Sequence, residues 1–316
     1  MNRRQVAFLV VVSLLVAGLV TALLVQSPPE PRGRMRVLAT FYPLYYFASE
    51  IGGDRAAVES LIPFNSEPHS WEPTPRDIVR ADKARLFIYN GAGLEPWVED
   101  LLSSLHNRAS LVVVDTSIGL NFTEEHGGEE KEHEHHHDTD PHIWLDPMLA
   151  SHQVDRILEG YIVVDPEGEA YYLERAGGLK ARLRALHTEF EEGLKNRTKN
   201  LIVTTHEGFG HLARRYGFEV EAVLGLSPDE QPSAAQMAEV VELARANNLS
   251  VVFGEPVYDD QYIRTIAAEV SRQVGWEVRV LLLDGIHGRA GPHAGMDYFE
   301  IMRENLKALR EGLEVQ

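Results

Sequence analysis

The sequence predicts an α/β protein of two lobes, each with a parallel sheet flanked by helices. The lobes are joined by a long connecting helix and preceded by an N-terminal transmembrane helix. Three observations predict this. Short β-rich runs alternate with helical stretches in residues 35–165 and again in residues 200–316, as in βαβ units. Residues 166–199 are charged and periodic. Residues 1–26 contain a long apolar run, which indicates a membrane segment.

The N-terminal lobe, residues 35–165, contains four β-rich runs separated by helical stretches. The start of one helix is well defined: Thr74 can cap it, Pro75 fits its first turn, and Asp77 suits its positive N-terminal end. We expect strands at residues 37–41, 58–62, 86–89 and 111–114, and helices at residues 43–51, 75–81 and 95–105.

The C-terminal lobe, residues 200–316, shows the same alternation of β-rich runs and helical stretches. The two lobes do not share a sequence repeat strong enough to indicate duplication. Ser233 and Gln236 form a capping-box pattern at the start of one of its helices. We expect strands at residues 201–205, 219–224, 251–253 and 278–283, and helices at residues 208–216, 233–247, 259–274 and 297–313.

The connecting segment, residues 166–199, is expected to be one long helix. Gly177 and Gly178 lie in its middle, and each costs about 1 kcal/mol relative to alanine inside a helix. A kink or a break at this pair is therefore the alternative.

The N-terminal segment, residues 1–26, is expected to anchor the chain. Arg3 and Arg4 precede the uncharged apolar residues 6–25, which are long enough to cross a bilayer as a helix. The two arginines place its start in the cytoplasm, so the remaining chain lies outside the cell membrane. A cleaved signal peptide, giving a secreted or periplasmic protein, is the alternative. Residues 27–34 are a proline-rich spacer.

The composition excludes several classes of function. The net charge of −18 argues against nucleic acid as a partner, because phosphate binding needs clustered lysine and arginine. The chain has no cysteine, which removes disulfides, thiolate metal sites, cysteine nucleophiles and a lipid on an N-terminal cysteine. Any metal site must therefore use histidine, aspartate, glutamate and water.

Four residues are candidate metal ligands. His69, His206 and Asp284 each follow an expected strand, and His142 precedes the helical stretch after the acidic insert. In open α/β sheets, ligands bind beyond the carboxyl ends of the strands, so two facing lobes would bring these side chains to one cleft. Three imidazoles and a carboxylate make a tetrahedral set suited to Zn²⁺. Taken singly, each residue is more often structural.

Six motifs in order resemble one known family. They are PHSWEPTP, DPHIWLDP, THEGFGHLARRYG, GLSPDEQPS, FGEP and LLLD, spread over residues 36–309. The chain resembles the zinc- and manganese-specific solute-binding proteins of ABC importers. The resemblance implies metal held between the lobes by residues matching His69, His142, His206 and Asp284. It also implies a monomer that is not an enzyme and that delivers its metal to an ABC transporter permease.

The residue at position 206 bears on the choice of metal. Manganese-preferring members of the family that the chain resembles carry a carboxylate at this position, whereas this chain has His206. Imidazole suits Zn²⁺, and carboxylate with water suits Mn²⁺. Zinc is therefore the expected cargo, with manganese as the alternative.

The insert at residues 124–140 is a second indication of metal binding. It holds five histidines and eight acidic residues, a composition that cannot bury apolar surface and that binds divalent metals weakly. Zinc-type members of the family that the chain resembles carry a similar histidine- and acid-rich loop at this place. An acidic loop without a role is the alternative. The possible secondary ligands are His126, His133, His135, His136 and His137.

Other functions and ligands remain open at this point. His287 and His293, in a glycine-rich stretch after Asp284, are expected to be structural, with an extra weak site or a contact with the cleft as the alternative. The run HEGFGH suggests a zinc hydrolase, but its histidines are five residues apart instead of the four that the peptidase motif needs. A surface metal buffer or adhesin would have the same fold and site.

The expected mechanism is capture and hand-over. A rigid connecting helix would allow little lobe movement, so release would come from rearrangement around His206 or Asp284. Protons compete with metal for imidazole, so affinity is expected to weaken as pH falls toward about 6.5.

Overall fold

The computed structural model describes residues 33–122, 139–226, 232–258 and 260–316. Met35–Gln316 forms one compact unit. Within the described ranges, no helix is both long and apolar enough to cross a membrane. The expected membrane segment, most of the spacer and the histidine-rich insert up to residue 138 lie outside these ranges.

The first lobe contains a four-stranded parallel sheet in the order β2-β1-β3-β4. The central strand β3 is almost wholly buried, because helices cover both faces of such a sheet. Its elements are strands β1 (Met35–Ala39), β2 (Ala56–Ser60), β3 (Leu86–Tyr89) and β4 (Val112–Asp115), and helices α1 (Tyr42–Gly52), α2 (Pro75–Ala81) and α3 (Val98–Ser103). Thr74 and Asp77 form the cap of α2, which confirms that helix start.

The second lobe repeats this topology with the order β6-β5-β7-β8, again all parallel. Its strands are β5 (Leu201–His206), β6 (Glu219–Leu224), β7 (Val251–Gly254) and β8 (Arg279–Leu282). The capping box of Ser233 and Gln236 is confirmed. The two-lobe α/β prediction is confirmed, with strand ends shifted by at most about two residues, the usual uncertainty of such boundaries.

One long helix joins the lobes. Helix α4 (Pro147–Val164) packs along helix α5 (Glu169–Gly193). The connecting helix α5 is shorter than the expected segment 166–199, because Pro166–Gly168 forms a separate 3-10 turn and the helix ends at Gly193. Four further helices complete the second lobe: α6 (Gly210–Tyr216), α7 (Ala234–Ala246), α8 (Gln261–Val274) and α9 (Tyr298–Gly312).

Helix α5 runs through Gly177 and Gly178 without interruption, so the alternative of a break at this pair is wrong. Both glycines are exposed, and a Cβ at either would meet nothing within 4 Å. The opposite face of the helix carries fully buried Leu183, Leu186 and Phe190. Burying such side chains stabilises by about 1.5–3 kcal/mol each, which offsets the cost of two glycines.

The lobes share one hydrophobic core along α5. Residues of both lobes, such as Phe47 and Leu309, belong to the same buried cluster, and a second cluster lies under α7 and α8. Arg182 of α5 donates to Glu50 and to the hydroxyl of Tyr46 on α1, and its guanidinium lies 4.0 Å from the Phe299 ring on α9. The lobes are therefore fixed to a common spine.

Candidate metal centre

Three of the predicted ligands meet at the cleft. His69 lies in the loop after β2, His142 precedes the 3-10 turn Ile143–Leu145, and His206 is the last residue of β5. The Nε2 atom of His142 lies 3.1 Å from that of His69 and 3.2 Å from that of His206. The carboxyl ends of parallel strands from two lobes have brought these side chains together, as expected for such sheets.

The fourth member of the group is His287. One ligand atom from each of His69, His142, His206 and His287 lies within 4.8 Å of the other three. The rings of His206 and His287 are 5.2 Å apart, and those of His142 and His287 are 5.6 Å apart. The structure does not bring Asp284 into this group.

Asp284 instead organises the loop that carries His287. Its Oδ2 accepts a hydrogen bond from Nδ1 of His293 at 2.8 Å, and its Oδ1 accepts from the backbone N–H of Ile286 at 2.8 Å. Its backbone N–H and C=O are both bonded to the Asn305 side chain on α9. Both carboxylate oxygens are thus already engaged, and the carboxylate holds a turn in which Ile286 has φ of 53°.

The loop is fixed to the first lobe as well. Trp144 donates its Nε1–H to the carbonyl of Gly285 at 2.7 Å, and the backbone N–H of Arg289 donates to the carbonyl of Phe64 at 2.6 Å. A Cβ at Gly288 would overlap that same carbonyl oxygen, so glycine is needed for this close approach. His287 is therefore held between two anchored points.

Two carboxylates set the orientation of two imidazoles. Asp140 accepts from Nδ1 of His142 at 2.8 Å, and Glu255 accepts from Nδ1 of His206. An ionised carboxylate can only accept hydrogen bonds, so each contact places the imidazole proton on Nδ1. The Nε2 atom is then left with a lone pair that can bind a metal. In His287, both ring nitrogens are buried and have no hydrogen-bond partner, which is costly unless a ligand uses one of them.

Two of the nitrogen separations fit a tetrahedral zinc ion. With Zn–N bonds of about 2.0–2.1 Å, neighbouring ligand atoms lie roughly 3.3 Å apart. The two measured Nε2 separations, 3.1 and 3.2 Å, are close to this value. Four uncharged nitrogen ligands suit zinc better than the oxygen-preferring Mg²⁺, Ca²⁺ or Mn²⁺.

Burial keeps three of the imidazoles neutral. It lowers the pKa of His69 to about 2, and the neighbouring His142 and His206 add to the effect. Burial also lowers the pKa of His142, against the opposing effect of Asp140, and lowers the pKa of His287 well below its ordinary value. Neutral imidazole is the form that binds metal.

The pKa values of the two carboxylates that contact these imidazoles shift in opposite directions. Burial raises the pKa of Glu255, despite its contact with His206. Burial would also raise the pKa of Asp140, but the hydrogen bond from His142 and the nearby His211 outweigh it, and the pKa is lowered.

The remaining histidine predictions have different outcomes. His293 bonds to Asp284 and not to the cluster. His211 lies on α6 with its Nε2 2.9 Å from the carbonyl oxygen of Asp140, while His206 ends a strand, so HEGFGH does not form the two-histidine helical face of a zinc peptidase. The possible secondary ligands His126, His133, His135, His136 and His137 lie outside the described residues.

The sequence pattern did not single out His287 as a member of the converging group. His287 lies five residues beyond β8 in a loop that contains four glycines between residues 285 and 295, so no periodicity indicates where its side chain points. The available signal was an additional imidazole close to a predicted acidic ligand.

A group of buried imidazoles between two parallel-sheet lobes defines a metal-binding solute-binding protein. The family model that matches residues 37–312 is ZnuA, described as "Zinc-uptake complex component A periplasmic". The chain belongs to this family. Its members are metal-binding components of zinc transport and not enzymes, so the hydrolase alternative falls away.

Relatives with known names agree with this assignment. The chain is 35% identical over 292 residues to the high-affinity zinc uptake system protein ZnuA of Bacillus subtilis, covering 90% of this chain and 89% of that protein. It is 32% identical over 309 residues to the zinc-binding lipoprotein AdcA of Streptococcus pneumoniae, covering 95% of this chain. The chain spans only 60% of the length of that AdcA protein.

Solved structures share the fold. The Zn(II)-bound ZnuA-like domain of Streptococcus pneumoniae AdcA superposes with a TM-score of 0.73 at 29% identity, covering 89% of this chain and all of that domain. The laminin-binding protein Lmb of Streptococcus agalactiae, described as bifunctional with adhesin and metal-transporting activity, gives a TM-score of 0.75 at 27% identity. That match covers 88% of this chain and 99% of Lmb.

The lowered pKa values predict how the stability of the metal-free protein depends on pH. His69, His142 and His287 stay neutral in the fold, whereas in the unfolded chain each takes up a proton near pH 6.5. Unfolding therefore becomes more favourable as pH falls below about 6.5, by up to about 1.4 kcal/mol per imidazole per pH unit. We expect the unfolding temperature of the metal-free protein to fall between about pH 7.5 and about pH 5.5.

Thermal unfolding of variants tests whether the buried imidazoles cause this dependence of the unfolding temperature on pH. His69→Gln should make the pH dependence shallower, because it removes one of the imidazoles that stay neutral in the fold. An equal slope in wild type and His69→Gln would contradict the assignment.

Proposed function

We propose that this protein captures one Zn²⁺ in the cleft between its lobes, held by His69, His142, His206 and His287, and delivers it to an ABC-type permease. One observation carries the proposal: four imidazoles converge within 4.8 Å, and one of them has two buried nitrogens without partners. Relatives named as zinc uptake and zinc-binding proteins support zinc as the cargo.

The donor set supports zinc over manganese. No carboxylate belongs to the group of converging ligand atoms within the described residues, and imidazole suits Zn²⁺ whereas Mn²⁺ prefers carboxylate and water. The set differs from the three histidines and Asp284 that the family resemblance implied. His287 takes the fourth place, and Asp284 holds its loop.

The histidine-rich insert is proposed to raise the local concentration of zinc near the cleft. Its composition supports weak binding at several registers. The acidic net charge of −18 also favours accumulation of cations around the protein.

Zinc titration of the metal-stripped protein lacking residues 1–34 tests the cleft site. Calorimetry should detect one tight event per chain, because one cluster of four ligands is available in the described part. His142→Ala and His206→Ala should abolish this event, and deletion of residues 129–137 should preserve it. Weak, multiple binding that disappears with the insert would leave only a surface metal buffer.

The identity of the fourth ligand has its own test. His287→Ala should weaken zinc binding by more than about 100-fold, beyond the roughly 10–100-fold typical of losing an outer partner of a ligand. Asp284→Asn is the matched variant in the same loop and should cost about 10-fold or less. The reverse order of these two losses would make Asp284 the ligand. His287→Asp should improve Mn²⁺ binding relative to Zn²⁺, measured by competition.

The protein acts on the extracytoplasmic side of the membrane, as its family does. We infer that residues 6–25 hold it there, because this apolar run follows two arginines and no cysteine is present to carry a lipid. The protein should therefore stay with membranes through an alkaline carbonate wash, as a spanning helix does. Release into the supernatant, with a new N-terminus beyond residue 26, would indicate a cleaved signal peptide.

A further inference from the structure

The imidazole cluster is least buried at His69. His142, His206 and His287 are at most 1% exposed, whereas 7% of the His69 side chain is exposed. An incoming ion therefore reaches the cluster past His69. Two side chains flank this approach: Glu67 of the first lobe and Tyr258 of the second.

Glu67 and Tyr258 meet across the cleft. The Tyr258 hydroxyl donates to Oε1 of Glu67 at 3.3 Å. The Tyr258 ring lies 4.9 Å from the ring of His206 and 5.8 Å from that of His287, so it covers the two deepest ligands of the second lobe. The contact joins the β2–α2 loop to the β7–α8 loop directly over the site.

The Glu67 carboxylate is held beside the outermost ligand. Its Oε1 lies 4.0 Å from Nε2 of His69. Its Oε2 accepts hydrogen bonds from the backbone N–H and the hydroxyl of Ser70, at 3.0 and 3.3 Å. These contacts keep the carboxylate at the mouth of the cluster, within reach of an ion but outside the group of four converging nitrogens.

We propose that Glu67 is the first ligand to an incoming hydrated Zn²⁺ and that Tyr258 closes the cleft once the ion has moved on to the imidazoles. This inference rests on the proposed capture of zinc in the cleft. The four imidazoles are uncharged when they receive metal and three of them are buried, so they exert little attraction on a distant dication. A carboxylate at the mouth supplies that attraction and binds zinc through oxygen at about 2.0–2.2 Å.

The transfer is a sequence of ligand exchanges. The carboxylate displaces one water from the hydrated ion, and Nε2 of His69 displaces another. The remaining imidazoles then displace the last waters and the Glu67 oxygen, and all of the water leaves to solvent. No electron is transferred, and His142 and His206 already present lone pairs because their Nδ1 protons are held by carboxylates. The freed Glu67 carboxylate then accepts the hydrogen bond from the Tyr258 hydroxyl again, and this contact closes the entrance to the cluster.

Stopped-flow kinetics with Zn²⁺ and the metal-stripped full chain test this order of events. Trp144 fluorescence reports on the cleft, because its ring lies 5.1 Å from that of His142 and 5.6 Å from that of His287. A signal that His206→Ala abolishes is assigned to the cleft. Glu67→Gln should slow association by about tenfold or more, the lower range of electrostatic focusing, and leave chelator-induced dissociation within about twofold.

Three variants separate this role from a structural one. Glu72→Gln removes an exposed acid from the same loop and should leave association unchanged. Glu67→Asp keeps the charge and should restore most of the association rate. Tyr258→Phe should speed dissociation without slowing association, because only the closure is lost.

Other outcomes overturn the inference. Equal slowing by Glu67→Gln and Glu72→Gln would reduce the effect to general surface charge. Faster dissociation with unchanged association in Glu67→Gln would make Glu67 a structural residue of the loop. A wild-type chain without any His206-dependent signal would refute the proposed capture site itself, which is a distinguishable result.

Discussion

The constraint on which this structure depends is the burial of uncharged imidazoles where two sheets face each other. A buried imidazolium would be costly, so the site works only if each ring stays neutral with its free nitrogen turned inward. Asp140 and Glu255 fix that choice for His142 and His206 by accepting their Nδ1 protons. The sheets, loops and helices hold Nε2 of His142 at 3.1 Å from Nε2 of His69 and at 3.2 Å from Nε2 of His206.

Much of this architecture could be predicted from local sequence. Each β-rich run became a strand because buried parallel strands need apolar residues on both faces, and proline, threonine and serine defined helix starts such as those at Pro75 and Ala234. His69 and His206 came together because positions beyond the carboxyl ends of parallel strands converge, whereas His142 was indicated only by its position between the acidic insert and the following helix. That geometric rule needs only the strand assignments, which were correct within a few residues.

The fourth position could not be predicted in this way. Asp284 and His287 lie close together in one loop, and which of them faces the cluster depends on distant residues. Asn305 on α9 holds the backbone of Asp284, His293 engages its carboxylate, and Trp144 of the other lobe fixes Gly285. Continuity of α5 through its glycine pair likewise depends on tertiary burial, which outweighs helix propensity.

The placement of charge around the site fits the proposed all-nitrogen ligand set. Four neutral ligands leave both positive charges of Zn²⁺ uncompensated, and a low-dielectric site makes that costly. Three carboxylates lie just behind or beside the ligands: Asp140, Glu255 and Glu67. One oxygen of Glu255 is buried without a hydrogen-bond partner, and a nearby dication would stabilise its ionised form. In the proposed site, oxygen ligands are absent from the coordination group, which favours zinc, and the opposing charge comes from carboxylates outside it. Because the lobes share one core and the His287 loop is anchored to both of them, a large separation of the lobes would break many of the contacts that build the site.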